Sequence, residues 1–478
     1  MEAENPPTIV ESRSCRTDKK LVAFIIEKEM RLDEPTDQDN PFWCNIIGNI
    51  NALRLYDEYE GRRRYIGINS DSRKLERLNL MIAYVLPNSY LLKAAYACRA
   101  FIAYNTLEDF YCMYNIMHVQ EIIPYSNDSV KSWCKYMLDN AFNRRLGEEY
   151  PHPHKDPKTP KCFSYVSCED SVNYGRHLHS RRTLVRGSTV LQELPFVSLL
   201  LPVDRWMRCH KCLIHTPLVL IPCPSCSVML YCSHTCRIRA YEEYHSLECA
   251  MISYLISKYE PTEILALRLT IRVFKMFHEM PDVLNLYIRT LSENMAVHEY
   301  NKPNGYDLNA EADYKKVYRL ATNRRHLTRA QLTANGLRAV AMSKLLVTAH
   351  NLPLSFVELL AELTLRHMHI VRVNALVLHR SVDDPAKDCF DATSVPYALT
   401  LLTTGSMFNH SCNANVEYSL SKYGTIKFVA NRFISNGAML HINYRCVRTT
   451  DLRIWNPDAP SSHRKLDMSC HNMAVMIR

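Results

Sequence analysis

The chain has 478 residues, of which 47% are hydrophobic and 22% charged, and it carries a formal net charge of +9. These proportions are typical of folded globular proteins, and the length indicates about three domains. Only 11 glycines argue against glycine-rich phosphate loops, and no apolar run is long enough to cross a bilayer, so we expect an intracellular protein. Positive charge occurs in short groups such as 62–64, which favours a solvated surface over a nucleic-acid-binding face.

Residues 1–150 are predicted to be helical, because apolar residues recur there in long stripes. If Lys93 is position one of a 34-residue helix-turn-helix repeat, Ala100, Cys112 and Pro124 occupy positions where a tetratricopeptide unit has small residues and a closing proline. An ordinary helical bundle fits the same pattern. The segment is therefore predicted to be a helical domain, either a degenerate tetratricopeptide-like one or an ordinary bundle.

The rest of the chain divides by composition, beginning with a proline-rich linker. Strand-like sequence follows it and returns after a long helical region, in which Ser355 and Glu358 are predicted to form a capping box. Turns at 422–424 and 436–437 separate three short strands near the end, at 415–420, 425–430 and 438–444. The predicted segments are 151–170 linker, 171–208 strands, 209–249 cysteine cluster, 250–398 helices, 399–445 strands and 446–478 tail.

Seven of the eighteen cysteines fall between residues 209 and 249, and together with His245 they form four pairs separated by two or three residues. In a reducing compartment such clusters more often hold metal than form disulfides, and tight pairs suit tetrahedral zinc. A redox role is excluded, since that motif uses one pair beside a βαβ unit. Eight ligands fill two structural zinc sites, and His210, His215 and His234 lack pair spacing. The candidate ligands are Cys209, Cys212, Cys223, Cys226, Cys232, Cys236, His245 and Cys249.

The spacing of these pairs resembles that of a MYND zinc finger. The resemblance implies that the pairs interleave around two Zn²⁺ ions. One ion would be held by Cys209, Cys212, Cys232 and Cys236, and the other by Cys223, Cys226, His245 and Cys249. MYND fingers are mostly protein-interaction modules, so the resemblance also implies protein partners.

A second cluster of polar residues is GSMFNHSCNAN at 405–415. Asn409 and His410 are costly to bury unless neighbours or a ligand satisfy their hydrogen bonds, so a satisfied loop and a binding loop both fit. The motif resembles the NHSCxPN signature of SET-domain lysine methyltransferases. The strand AMLHINY, which ends in Tyr444, resembles the strand that carries their catalytic tyrosine.

The order of these segments matches the split layout of the SET-and-MYND (SMYD) family, in its tetratricopeptide-bearing branch. The implied fold is α+β: a β-rich split SET domain, interrupted by a MYND zinc finger and a helical insertion and preceded by a helical N-terminal domain. The implied function is methyl transfer from S-adenosylmethionine to protein lysine, with Tyr444 at the transfer centre. The implied cofactor contacts are Gly175, Arg176, Asn374, Asn409 and His410.

The sequence departs from the family pattern in three places. His177 replaces the second glycine of a Gly-x-Gly turn, and Ala414 replaces the signature proline. After Tyr444 only Cys446 and Cys470 remain, which with Cys412 make three thiolates, so a third structural zinc is not expected. A catalytically inactive MYND/SET adaptor therefore stands as the alternative function.

For either function we expect protein substrates or partner peptides, bound by the finger and the N-terminal helices. We expect neither nucleic acid nor membrane as a partner. The chain is predicted to be a monomer in the cytoplasm, the nucleus or both.

Overall fold

A computed structural model describes residues 69–84, 90–122, 135–141, 143, 166–171, 175–226, 228–293, 310–388 and 394–444. The described residues form two compact units. One contains those up to residue 152 together with 205–209 and 215–237, and the other contains the remainder. No helix among the described residues is long and apolar enough to span a membrane. The tail after Tyr444, with Cys446 and Cys470, and most of the predicted linker lie outside the described residues.

The elements alternate between helical and strand-rich stretches in the order predicted. The helices are α1 Asn69–Tyr84, α2 Tyr90–Asn105, α3 Asp109–Ile122, α4 His234–Ala240, α5 Ser246–Glu248, α6 Ile252–Lys258, α7 Pro261–Met276, α8 Pro281–Glu293, α9 Ala310–Tyr318, α10 Arg329–Ala349 and α11 Phe356–Asn374. The strands are β1 Val166–Ser171, β2 Gly175–Ser180, β3 Thr189–Glu193, β4 Val197–Leu200, β5 Ile221–Pro222, β6 Leu230–Tyr231, β7 Leu376–Arg380, β8 Val395–Leu401, β9 Asn409–His410, β10 Val416–Leu420, β11 Ile426–Ala430 and β12 Met439–Ile442.

In the first unit, α2 and α3 pack together over a buried polar cluster centred on Arg99, which is fully buried. The Arg99 guanidinium donates to the side-chain oxygens of Asn79 and Asn115 and to the Leu220 carbonyl, each at 2.8 Å. Burial lowers the pKa of Arg99 to about 10. Because charged groups are buried only when their hydrogen bonds are satisfied, this cluster fixes the helices against the backbone around Leu220.

In the second unit, each of the three sheets combines strands that precede residue 209 in the sequence with strands that follow residue 249. The sheet orders are β1-β2-β12-β9, β10-β11-β3 and β4-β8-β7. The strand domain is therefore split by the finger and the helices, as predicted. Strands β10, β11 and β12 lie within the three ranges predicted near the end of the chain, and Gly424 and Gly437 adopt positive φ in the turns between them.

The helical insertion is built around α7, which packs against α11, and α10 packs on α11 in turn. The prediction of a capping box at Ser355 was wrong, because its side chain makes no cap hydrogen bond. Ser355 already has helical angles (φ −59°, ψ −19°) within a turn that starts at Pro353, so it does not hold the extended conformation that an N-cap needs. Capping boxes instead begin α7, at Glu260, and α10, at Thr328.

Candidate functional site

The eight candidate zinc ligands lie in two groups of four, with the interleaving that the MYND resemblance implies. In each group the ligand atoms are all within 4.8 Å of one another. Four thiolate or imidazole ligands at that separation suit tetrahedral zinc and leave no open coordination position, so the sites are of the structural type. Neither group includes His210, His215 or His234. The groups are Cys209, Cys212, Cys232, Cys236 and Cys223, Cys226, His245, Cys249.

Backbone hydrogen bonds within 209–249 orient these ligands. The Cys223 amide donates to the Met229 carbonyl at 2.9 Å, which closes the hairpin of β5 and β6. The Cys236 amide donates to the Ser233 hydroxyl oxygen at 3.2 Å at the start of α4. The Cys249 amide donates to the His245 carbonyl at 2.8 Å, so these two ligands lie one helical turn apart on the same face.

His245 is supported by a buried ion pair that the sequence did not reveal. Its Nδ1 lies 3.7 Å from Glu248 Oε2, and both side chains are 1% exposed. The Arg268 guanidinium on α7 donates to both Glu248 carboxylate oxygens at 2.9 Å. Its Cζ lies 4.5 Å from the centroid of the Tyr244 ring. Burial alone would raise the pKa of Glu248, but Arg268 and His245 outweigh it and lower it. A carboxylate on the far nitrogen of a ligand histidine fixes its ring and tautomer.

Gly424, in the turn between β10 and β11, packs directly on Cys212. It has a φ of +76°, and an added Cβ would lie 2.9 Å from Cys212 Cβ and 3.1 Å from its carbonyl oxygen. No side chain fits at that distance, and the positive φ favours glycine in any case. The turn of the second strand segment and a candidate zinc ligand are thus held in contact.

The second candidate site forms where β9 pairs with β12. The pairing is parallel, with His441 opposite Asn409 and Ile442 opposite His410. The Tyr444 amide donates to His410 Nδ1 at 2.9 Å, and the Tyr444 hydroxyl donates to the Phe408 carbonyl. The Asn-His motif and the strand-end tyrosine are therefore neighbours in the fold.

The protonation of this pair follows from those contacts. Because His410 Nδ1 accepts a hydrogen bond, its neutral ring carries the proton on Nε2, which lies 3.4 Å from Cys412 Sγ. Burial lowers the pKa of His410 and raises that of Tyr444 far above its ordinary value. Tyr444 is thus a hydrogen-bond donor and not a base at neutral pH.

The other predicted cofactor residues lie at the ends of β2 and α11. Gly175 begins β2 with a φ of +59°, and nothing lies within 4 Å of an added Cβ. Arg176 donates to the Arg319 carbonyl. Asn374 donates to the Ala321 and Ile370 carbonyls at 2.7 Å, and its own carbonyl accepts from Ser406 at 3.0 Å, so it links α11 to the turn that precedes the Asn-His motif.

A buried glutamate holds that turn and was also missed from the sequence. Glu193 at the end of β3 accepts hydrogen bonds from the Thr403 hydroxyl and from the amides of Thr404 and Gly405. Burial raises its pKa to about 7, although the hydrogen bonds from Gly405, Thr403 and Thr404 act in the opposite direction. An added Cβ on Gly405 would lie 2.6 Å from side-chain atoms of both Leu402 and Phe428, so this close packing of the turn requires glycine.

Comparison with known proteins identifies the first site. Residues 209–249 match the MYND finger family. The human protein named Protein-lysine N-methyltransferase SMYD4 is 26% identical over 339 residues, which cover 57% of this chain and 42% of the relative. The zebrafish (Danio rerio) protein of the same name is 21% identical over 334 residues, 58% of this chain and 43% of the relative. The mouse protein is 32% identical over 139 residues, 25% of this chain and 16% of the relative.

The chain spans about two fifths of the length of the human and zebrafish relatives. A solved structure described as the SET domain of LSMT bound to lysine and AdoHcy covers 69% of this chain and is covered to 56%, at 9% identity and a TM-score of 0.24, which is too low to carry an argument. The fold assignment rests instead on the strand pairing across the finger. The chain therefore contains a MYND finger at 209–249 and is similar over more than half of its length to proteins named SMYD4.

Proposed function

We propose that the chain is a protein-lysine N-methyltransferase that uses S-adenosylmethionine, with its MYND finger as the protein-binding module. The observation that carries the proposal is the pairing of β9 with β12, which puts Asn409 and His410 beside the strand that leads to Tyr444. The human and zebrafish relatives, whose alignments cover more than half of this chain, are named for that activity.

The proposed cofactor residues fit such a group in different ways. Gly175 leaves open space at the start of β2, and its positive φ exposes backbone that a side chain would cover. Asn409 lies in β9, where its backbone pairs with His441. Asn374 and Arg176 bind backbone carbonyls in this conformation, so we assign them to positioning α11 and β2 around the site. When bound, S-adenosylmethionine supplies an activated methyl group on its sulfonium.

We assign to Tyr444 the role of positioning the reacting groups by donating a hydrogen bond from its hydroxyl. Methyl transfer to lysine is an in-line displacement that requires a neutral amine held at roughly 3–3.5 Å from the methyl carbon. A phenol with a raised pKa keeps its proton, so Tyr444 orients the reacting groups through its hydroxyl. The lysine ammonium releases its proton to water before the transfer, and the neutral amine then displaces S-adenosylhomocysteine from the methyl carbon. The Phe408 carbonyl, which accepts from the hydroxyl, fixes the ring.

The finger supports the proposal as a structural element. We assign its two ligand groups to two Zn²⁺ ions, which hold residues 209–249 in shape and present them to protein partners. A small segment with little core of its own draws its folding free energy from such ions.

Isothermal titration with S-adenosylhomocysteine tests the proposal. We expect binding in the micromolar range that Asn409→Ala weakens at least about tenfold. Asn413→Ala, at an exposed position just after β9, is the control and should bind as the wild type does. Tyr444→Phe should keep binding but lose methyl transfer to a lysine peptide or protein pool. Absence of heat for the zinc-loaded wild type would contradict the proposal.

A non-catalytic MYND/SET adaptor is the second candidate, and one observation favours it. His177 occupies the position of the second glycine of the family's turn. The residue is 3% exposed, and its Nδ1 lies 2.7 Å from the Gly175 carbonyl oxygen. A ring there narrows the approach to the Gly175 backbone. If this function is the true one, His177→Gly should not create S-adenosylhomocysteine binding, and the finger should still capture partner peptides.

A further inference from the structure

Beyond the two zinc groups, a third set of potential metal ligands lies on the β1-β2-β12-β9 sheet. It consists of Glu169 on β1 with His177 and His179 on β2, whose ligand atoms are all within 4.8 Å of one another. Glu169 pairs directly with His177 in the antiparallel register, and His179 lies two residues on, so the three side chains share one face. None of the cofactor or zinc assignments above uses these three residues as ligands.

The hydrogen bonds of the two histidines set the tautomer that metal binding needs. His177 Nδ1 lies 2.7 Å from the Gly175 carbonyl oxygen, and His179 Nδ1 lies 2.9 Å from the Gly437 carbonyl oxygen. Since a carbonyl oxygen only accepts, each Nδ1 must be the donor, and the Nε2 of each neutral ring is then the unprotonated nitrogen. An Nδ1–H donated to a backbone carbonyl is the usual support of a histidine that binds metal through Nε2.

The position of His179 strengthens this assignment. Its Nε2 is buried and has no hydrogen-bond partner in the described part of the chain, although the side chain is 16% exposed, and it lies 3.6 Å from Glu169 Oε2. The two imidazole rings are tilted by 59° with centroids 4.6 Å apart. An ion with bonds of about 2.0–2.2 Å requires an approach of roughly 1 Å from these positions, which the exposed Glu169 side chain can supply.

A third imidazole lies in register as a fourth candidate ligand. Met439 of β12 pairs with His179, so His441, two residues further along, lies on the same face and next to His177. Three histidines and one glutamate on three adjacent strands make a nitrogen and oxygen donor set. Imidazole and carboxylate donors suit Zn²⁺, Cu²⁺, Ni²⁺, Co²⁺ or Fe²⁺, in contrast to the thiolate-rich finger.

We propose that Glu169, His177 and His179 bind a divalent first-row transition-metal ion, with His441 as an additional donor. The ion would tie the edge strand β1 to β2 and, through His441, to β12. It would be a third metal site of this chain, chemically distinct from the two in the finger.

Co²⁺ added to the full chain with two zinc ions bound is the probe. We expect about one further equivalent to bind, with the weak visible bands of nitrogen and oxygen coordination and without thiolate-to-cobalt charge transfer. His179→Gln and Glu169→Gln should each weaken this binding at least about tenfold while the two zinc ions stay bound. The exposed His326 provides a matched control, since His326→Gln should leave Co²⁺ binding unchanged.

Two results would overturn the proposal. One is the absence of a further Co²⁺ equivalent in the wild type, or thiolate charge transfer showing that cobalt enters the finger instead. The other is equal Co²⁺ affinity in the wild type and in Glu169→Gln, whose 60% exposed side chain makes misfolding an implausible explanation. Retention of two zinc ions in each variant separates loss of this site from loss of fold.

Discussion

The zinc finger at 209–249 and the strand site, which is built on the β1-β2-β12-β9 sheet, differ in how far apart along the chain their residues lie. All eight candidate zinc ligands fall within residues 209–249, and each pair is aimed by one turn or one hairpin. The strand site instead joins residues such as His179 and Gly437, which hydrogen-bond across a separation of 258 positions. A local site is stabilised by its own ligands, whereas a distributed site depends on every sheet that assembles it.

The largest expected effect is on the local site. Cys226→Ser removes one thiolate from a four-ligand group, so we expect about one zinc per chain to be lost and the finger to unfold, since apparent zinc binding energies in such modules are on the order of 10–16 kcal/mol. Elemental analysis and proteolysis within 209–249 measure both. Cys168→Ser, on β1 and outside both groups, should keep two zinc ions; a wild-type zinc count in Cys226→Ser would contradict the assignment.

The next effect tests the buried ion pair beside His245. Arg268→Met leaves Glu248 as a buried unpaired carboxylate behind His245, so we expect a loss of roughly 3–5 kcal/mol in the free energy of unfolding, with weaker zinc retention. Chemical denaturation and competition with a zinc chelator measure the two. Lys275→Met breaks a partly exposed i,i+4 pair with Glu279 and should cost about 0.5 kcal/mol. Equal losses in the two variants would argue against a buried support.

A smaller effect is expected at the contact between the strands and the finger. Gly424→Ala introduces both an unfavourable positive φ and a Cβ 2.9 Å from Cys212 Cβ. Gly187→Ala introduces only the first, because nothing lies within 4 Å of its added Cβ. We therefore expect Gly424→Ala to lower the free energy of unfolding by about 1–3 kcal/mol more than Gly187→Ala does. Equal values would show that the turn and Cys212 are not in firm contact.

The most gradual effect concerns the turn that Glu193 holds, and it is spread over the pH range from 4.5 to about 7. The pKa of Glu193 rises from an ordinary value of 4.5 to about 7 on folding, so the folded state binds more protons between these values. Stability from this group is fully present below pH 4.5 and is lost as the pH rises to about 7, with a slope on the order of 1 kcal/mol per pH unit. Denaturation at several pH values should show this fall in the wild type but not in Glu193→Gln; a rise over that window would contradict it.

The local site could be predicted from sequence because ligand type and spacing carry its chemistry. The four pairs and the strands at 415–420, 425–430 and 438–444 correspond to features of the structure. The interleaving of the pairs came from the resemblance to a MYND finger and not from their spacing, and the two groups of ligand atoms have that arrangement. Secondary structure signals of this kind depend on residues within a few positions of one another. The capping box at Ser355 failed at that same scale, because a turn from Pro353 had already begun the helix.

The buried side chains that hold both sites in place could not be predicted from such local signals. Glu248 and Arg268 meet across 20 positions, and Glu193 reaches a turn more than 200 positions away. Nothing in the composition around Glu169 or His179 indicates that they share a sheet face, since that follows only from the strand register. Partners set by packing between distant segments have no periodic pattern of their own.

The central position of β12 has a consequence for how this protein is made. β12 lies between β2 and β9 in its sheet, and β2 precedes it by more than 250 positions. At about 5–20 residues per second, a ribosome needs roughly 15 to 50 seconds to produce β12 after β2 has emerged. Through that interval β1 is the one neighbour of β2 among the described strands that has already been made, so the nascent chain must be kept from pairing wrongly until β12 has emerged.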